Sequence, residues 1–162
     1  MPQESRQARP RARLYSPAER ARRDASRWTV IQGLLAPIQF LAFAVSLVLV
    51  LRCLATGEGY AAATVSILIK TALLYTIMIT GAIWEKEVFG RYLFAPAFFW
   101  EDVFSFVVIG LHTAYLVALW QGGLAQEAML ILALAAYAAY VINAGQFLYK
   151  LRLARLDAEV AA

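Results

Sequence analysis

Two neighbouring acids, Glu101 and Asp102, are the residues of this sequence best suited to proton transfer. They directly follow Phe98, Phe99 and Trp100, so they lie where aromatic side chains exclude part of the water. Like-charge proximity and partial desolvation together favour the retention of one proton, and a carboxylic acid that keeps its proton near neutral pH can donate it. We therefore predict general acid and base chemistry at this pair.

A second acidic pair, Glu85 and Glu87, precedes the first within the stretch 84–102. This stretch holds seven of the 21 aromatic residues and four of the 11 acidic residues, more than a connector between two helices needs. Lys86 lies between the two acids, which weakens their case as a proton donor. We expect the stretch to meet a flat, amphipathic ligand.

The only histidine, His112, lies 11 residues beyond Glu101, on the same helical face and about 16 Å deeper. The face also includes Ser105, Val108 and Tyr115. One histidine and one cysteine exclude a multi-histidine or cysteine-based metal centre and any internal disulfide. His112 therefore has two interpretations, a buried imidazole bonded to a neighbouring helix or a ligand or proton carrier.

The elements that must position these residues are membrane helices. The chain is 62% hydrophobic with a mean hydropathy of +0.61, more apolar than a soluble domain of this size. We predict an all-α integral membrane protein whose domain at 16–150 is a bundle of four transmembrane helices. The spans lie at about 29–51, 61–83, 97–120 and 124–148, each long enough to cross a bilayer. A disordered basic arm at 1–15 precedes the domain, and a tail at 151–162 follows it.

The distribution of basic residues predicts the orientation. Residues 1–28 hold eight arginines and the central loop holds Lys86 and Arg91, whereas the two other connections hold only Arg52. The positive-inside rule therefore places both termini and the central loop in the cytoplasm. Ser16-Pro17-Ala18-Glu19 reads as a capping box, which predicts a short amphipathic helix from Ser16 to about Ala25 on the membrane surface.

Polar side chains inside the predicted spans indicate an inward-facing bundle, because each is costly in lipid without a partner. Lys70 is interpreted as structural, and Gln32 and Gln39 as interhelical hydrogen-bonding groups. A polar stripe on the last helix leads to the cytoplasmic surface; it consists of Tyr140, Asn143, Gln146 and Lys150.

The central motif resembles a known family. Trp84-Glu85-Lys86, the run 89–105 and the run 111–115 (Leu-His-Thr-Ala-Tyr) are closely similar to the 3-vinyl bacteriochlorophyllide hydratases of phototrophic bacteria, also called 2-vinyl hydratases. The resemblance extends over about 16–149 and includes the segments 32–40 and 55–60. The arginine-rich residues 1–14 have no counterpart in it.

The resemblance implies a lyase that adds water to the C3 vinyl group of chlorophyllide a or of 3-vinyl bacteriochlorophyllide a. The product carries a 3-(1-hydroxyethyl) group and serves bacteriochlorophyll a biosynthesis. It also implies a multi-pass protein of the bacterial inner membrane, cytoplasmic or intracytoplasmic, with no cofactor beyond the magnesium carried by the substrate. The expected partners are the chlorophyllide and membrane lipid, with neighbouring biosynthetic enzymes as candidates and no nucleic acid.

Roles in this reaction follow from position and chemistry. Glu101 or Asp102 is the predicted proton donor, and the other acid, or Glu85, orients water. His112 either ligates the substrate magnesium or relays a proton, and Arg91 pairs with the substrate propionate. The predicted substrate-binding residues are Arg91, Trp84, Tyr92, Phe98, Phe99, Trp100, Tyr115 and Asn143. The alternatives are a non-catalytic tetrapyrrole carrier or assembly protein and, third, a transporter subunit, which would be expected to show interrupted helices or repeats.

Overall fold

A computed structural model describes residues 14–159, and this part of the chain forms five helices joined by short connections. They are α1 (Pro17–Ala25), α2 (Arg27–Thr56), α3 (Tyr60–Phe89), α4 (Phe99–Gln121) and α5 (Gln126–Glu159). The four longer helices are long and apolar enough to cross a membrane. The all-α class is confirmed, and each predicted apolar segment lies largely within one of these helices.

The bundle consists of two antiparallel hairpins, α2 with α3 and α4 with α5. Polar contacts fix the register inside each hairpin. The Gln32 amide donates to Thr80 Oγ1 at 2.7 Å and Ser46 Oγ meets Ser66 Oγ at 2.7 Å, while Ser105 Oγ donates to Asn143 Oδ1 at 3.2 Å. We refer to the end where α3 leads into α4 as the loop end, and to the opposite end as the far end.

Local sequence accounts for where the helices begin and end. Ser16 caps α1, since its hydroxyl accepts from the Glu19 amide and its own amide donates to the Glu19 carboxylate. These hydrogen bonds to Ser16 lower the pKa of Glu19. At the loop end, Gly90 adopts a φ of +83°, a left-handed conformation that glycine reaches without a Cβ penalty, and it ends α3.

The segment before α4 differs from the expected early start of the span. Helix α4 begins at Phe99 rather than at residue 97, because residues 96–98 form a turn closed by the Phe98 amide donating to the Ala95 carbonyl. Phe98 itself has φ −126° and ψ 14°, outside the helical region. At the same end of the bundle, α5 continues to Glu159, so most of the predicted tail is helical.

Helix α1 lies against the loop end of α3. Arg22 Nε donates to the Val88 carbonyl at 2.7 Å, and Ser26 Oγ donates to the Glu87 carboxylate at 2.7 Å. Tyr15 is buried just before the helix, stacked on Phe89. The predicted disordered arm lies outside the described residues except for Leu14 and Tyr15, which are ordered here; the membrane-surface position of α1 stays a prediction.

The outer surface of the bundle is apolar in long stripes. On α2, Leu34, Leu41 and Val48 recur every seven residues and are 61–65% exposed. Stripes of this kind are expected where the surrounding medium is lipid, because a soluble bundle buries such positions. The interior is filled instead by aromatic and small side chains, such as Phe43 against Tyr137 and Tyr140.

Candidate functional site

Three of the predicted catalytic acids are buried at the loop end of the bundle. Glu85, Glu101 and Asp102 are 5%, 5% and 3% exposed, whereas Glu87 is exposed and bound to Ser26. Burial of a carboxyl group is costly unless it is hydrogen-bonded, paired or protonated. The three groups therefore differ from the surface acids of this chain, and their partners indicate what each can do.

Asp102 and Glu85 hold the same short piece of backbone. The Phe94 amide donates to Asp102 Oδ2 at 2.7 Å, and the next amide, that of Ala95, donates to Glu85 Oε2 at 3.2 Å. The two carboxyl groups therefore lie close together, each bonded to one of two consecutive amides. The loop between α3 and α4 is thus fixed by one acid from each helix.

Phe94, whose amide is bound by Asp102, has an unusual backbone conformation. Its φ is +59°, the only positive value among the non-glycine residues that the structure describes. A bulky L-residue in this region is strained and persists only where its surroundings hold it there, which is common at functional sites. The two carboxylate hydrogen bonds supply that restraint, and they orient the Phe94 ring toward Phe99 and Phe106, with centroids 5.7 Å away in each case.

Glu101 faces the opposite direction, toward α5. Lys150 Nζ lies 3.6 Å from Glu101 Oε1 and also donates to the Ala97 carbonyl at 2.6 Å. Asn143 donates to the backbone carbonyl of Glu101 at 3.0 Å, which ties the first turn of α4 to α5. The second carboxylate oxygen, Oε2, is buried and has no hydrogen-bond partner among the described residues.

His112 is fully buried near the middle of the bundle. Its Nδ1–H donates to the Val108 carbonyl at 2.8 Å, so Nε2 is the free acceptor, and Lys70 Nζ donates to it at 2.9 Å. The lysine is also buried, with Nζ 4.0 Å from the centroid of the Tyr140 ring. Both nitrogens of His112 are therefore occupied, and magnesium ligation would require Lys70 to move away; that role stays a prediction.

The predicted substrate-binding aromatics divide into two groups. Trp84 and Phe98 lie in an interior cluster with Phe89 and Tyr15, with ring centroids 5.6–6.3 Å apart. Tyr92, Phe99 and Trp100 instead face outward and are 60%, 43% and 69% exposed. Together with Phe94 and Phe106, these three are exposed aromatic side chains of the loop end, and we call the set the aromatic shelf.

Two cations border the aromatic shelf. Arg91 is exposed and donates to the Phe94 carbonyl at 3.4 Å, and Lys86 Nζ lies 5.4 Å from the centroid of the Tyr92 ring. Tyr115 is the predicted binding residue that the structure places elsewhere, since it is fully buried deeper in α4, three residues beyond His112. Asn143 lies next to Glu101, as described above.

Comparison with known proteins gives the family. The family model described as 2-vinyl bacteriochlorophyllide hydratase matches residues 15–153. The chain belongs to this family. It is 73% identical over 154 residues to the 2-vinyl bacteriochlorophyllide hydratase of Cereibacter sphaeroides, covering 95% of this chain and 96% of that protein. It is 72% identical over 148 residues to the protein of the same name from Rhodobacter capsulatus, covering 91% and 86%. No solved structure matches the chain.

Membership of the hydratase family confirms the resemblance seen in the sequence. A hollow of about 370 Å³ lies at the far end, between α2 and α5, and holds none of the three buried acids. It is lined by Cys53, Leu54, Gly57, Gln126, Glu127 and Leu130. In the described part of the chain, no group of three or more metal-ligating side chains is present.

Sequence reasoning did not identify Lys150 and Phe94 as residues of the candidate site. Lys150 was seen only as part of a polar stripe, although its spacing of seven residues from Asn143 places it on the same face of α5. Phe94 had no signal of its own, because nothing in a run of aromatics distinguishes the one residue that adopts a left-handed conformation.

Proposed function

We propose that this chain adds water across the C3 vinyl group of chlorophyllide a, or of its bacteriochlorin counterpart, to give a 1-hydroxyethyl side chain in bacteriochlorophyll a biosynthesis. The observation that carries the proposal is the 72–73% identity, over nearly the whole chain, to two proteins named 2-vinyl bacteriochlorophyllide hydratase. The three buried acids at the loop end supply chemistry that such a reaction needs.

The aromatic shelf suits a planar, apolar macrocycle. Aromatic rings stack on flat π-systems, and five exposed rings lie at the loop end, with Phe94 packed against Phe99 and Phe106. Arg91 and Lys86 border the shelf and can pair with a propionate carboxylate, Arg91 by a bidentate contact. A substrate entering sideways from the membrane would thus lie with its ring on the shelf and its carboxylate at the polar rim.

Hydration in this direction needs two proton transfers. A carboxylic acid protonates the terminal vinyl carbon, which leaves a cation at the inner carbon that the conjugated ring delocalises. Water then adds to the inner carbon and loses a proton to a carboxylate. Each positioned acid or base typically contributes about 10²–10⁴ in rate, and the buried groups Glu85, Glu101 and Asp102 are the candidates.

The proposed topology places the loop end, with both termini, in the cytoplasm of a bacterium and the bundle in its inner membrane. The arginines of α1 and the basic residues of the loop support it through the positive-inside rule. In a Cys53→Ser background, a membrane-impermeant maleimide should label Glu58→Cys from outside and Lys86→Cys only after the membrane is opened. Labelling of Lys86→Cys in intact cells would reverse the topology.

The direct test is incubation of membranes containing the protein with 3-vinyl chlorophyllide in water enriched in oxygen-18, followed by mass analysis. A hydratase yields a product heavier by one water that carries the label, with no cofactor added beyond the substrate's own magnesium. Tight pigment binding with unchanged mass would instead identify a carrier, the alternative class. Membranes from cells that lack the protein are the control. Addition of neighbouring biosynthetic enzymes tests whether pigment passes directly between them and this protein.

A further inference from the structure

The first turn of α4 directs two consecutive acids to different helices. Glu101 faces α5 and Lys150, whereas Asp102 faces α3 and Glu85. Consecutive residues on a helix point about 100° apart, so the same turn can serve two separate environments. These environments differ in the presence of a cation, because a lysine lies beside Glu101 and neither Asp102 nor Glu85 has a cationic partner among the described residues.

Glu101 is the buried acid with a cationic partner. Its carboxylate lies 3.6 Å from the ammonium of Lys150, and the lysine is held in place by the Ala97 carbonyl at 2.6 Å. A lysine at this distance can pair with a carboxylate that would otherwise be buried without a counter-charge. The other oxygen, Oε2, is buried and bound to nothing among the described residues, so it is available to accept a proton from a water molecule.

Asp102 and Glu85 have no such partner. Among residues 14–157, whose side chains the structure describes, the only ion pairs are Lys150 with Glu101 and Arg23 with Asp24. Each of the two acids accepts one backbone amide, and the carboxyl groups lie against each other. Two neighbouring carboxyl groups buried without a cation do not both ionise and instead share one proton, as in other acidic dyads.

We propose that the two acids of this turn have opposite roles, with Glu101 as the base that deprotonates water and the Asp102–Glu85 pair as the proton donor. The assignment rests on the proposed hydratase activity. The proton of the pair forms the new C–H bond at the terminal vinyl carbon, using the electrons of the C=C bond. Water then forms the C–O bond at the inner carbon, and its proton goes to Glu101. Return of that proton to Asp102, the next residue, restores the starting state.

Lys150 is a positioning residue in this scheme. It acts through Glu101, whose Oε1 it holds while leaving Oε2 free. It has no comparable contact with Asp102 or Glu85, since its other contacts are the Ala97 carbonyl and the Phe98 ring, 5.8 Å from Nζ. Loss of its charge should therefore impair water addition and leave proton donation intact.

The two steps can be measured separately in heavy water. When the vinyl group is protonated and the step then reverses, a terminal vinyl hydrogen is exchanged for deuterium. Mass analysis of the recovered substrate counts the deuterium atoms. Glu101→Gln should lower product formation at least 100-fold while the exchange continues. Asp102→Asn and Glu85→Gln should lower both at least 100-fold. Lys150→Met should resemble Glu101→Gln, and Lys150→Arg should recover most of the product formation.

The outcomes distinguish this assignment from the proposed function. If the wild-type protein forms no hydrated product, the hydratase activity itself is wrong. If it does, but Glu101→Gln loses exchange and hydration equally or Asp102→Asn keeps the exchange, the division of roles is wrong. Glu58→Gln removes an exposed far-end acid and serves as the matched control. If Glu101→Gln does not accumulate, Lys150→Met and Lys150→Arg test the same division of roles. Equal product formation by these two variants, or loss of the exchange in Lys150→Met, would contradict it.

Discussion

The contact between Lys70 and His112 should behave as one coupled unit rather than as two independent side chains. Both residues are fully buried, and they join the two hairpins at mid-bundle through a 2.9 Å hydrogen bond. We consider three variants, Lys70→Met, His112→Leu and the double replacement, all of which keep an apolar side chain of similar length or volume.

The expected energies follow from which polar group each variant leaves behind. Lys70→Met leaves the His112 Nε2 acceptor buried without a donor, and His112→Leu leaves the Lys70 amine without its acceptor. Each should lower the free energy of unfolding by about 1–3 kcal/mol, the usual cost of an unsatisfied buried group. The double variant removes both groups, so it should be nearly as stable as the wild type, and the coupling energy is then the sum of the two single costs, about 2–6 kcal/mol.

The wild type and the three variants form a double-mutant cycle, and denaturant unfolding in a single detergent measures the stability of all four proteins. Lys86→Met replaces an exposed lysine on the same helix and should change the stability by less than about 0.5 kcal/mol. Single-variant costs that simply add in the double variant would refute the reasoning. The same proteins test magnesium ligation, because a double variant that binds pigment and turns it over like the wild type leaves His112 no role as the ligand.

Three further predictions concern single side chains. Phe94→Gly should be more stable than Phe94→Val by about 1–2 kcal/mol in thermal unfolding, because glycine accepts the φ of +59° and a β-branched residue does not; equal stability would contradict the strain. Burial raises the pKa of Tyr15 from 10.0 to about 12, so the free energy of unfolding should fall as the pH rises from 10 to 12. Tyr15→Phe should abolish that fall in unfolding experiments at the two pH values. Gln39 is 2% exposed, and its amide has no hydrogen-bond partner in the described chain. Gln39→Leu should therefore raise the unfolding free energy by about 1–3 kcal/mol. A lower unfolding free energy in this variant would show that the amide has a partner in the membrane.

The helices were predictable from sequence because the apolar runs are long and uninterrupted. Their partners were less so. Gln32 was expected to form a hydrogen bond between helices, and it does so with Thr80. Gln39 lies seven residues further on the same helical face, yet its amide has no hydrogen bond among the described residues. Helical periodicity shows which residues share a face, but it does not show which neighbouring helix that face meets.

The site shows the same limit more sharply. Glu101 and Asp102 were recognised as a pair from their adjacency, yet one turns toward α5 and the other toward α3. Trp84 and Trp100 were grouped by residue type, although one packs in the interior cluster and the other is 69% exposed. Consecutive helical residues point about 100° apart, but which neighbouring helix or ring each one meets depends on how the helices pack, which amino-acid type alone does not indicate.

The division into two hairpins has a consequence for how the chain is made. The amide of Gln32 and the hydroxyl of Ser66 find partners within the first hairpin, so these groups are satisfied as soon as α2 and α3 leave the ribosome and insert. Lys70 is different, because its partner His112 and the ring of Tyr140 belong to the second hairpin. Until α4 and α5 are made and inserted, Lys70 has neither partner, and a buried lysine without one is costly in an apolar medium. The second hairpin is therefore needed to satisfy a polar group of the first.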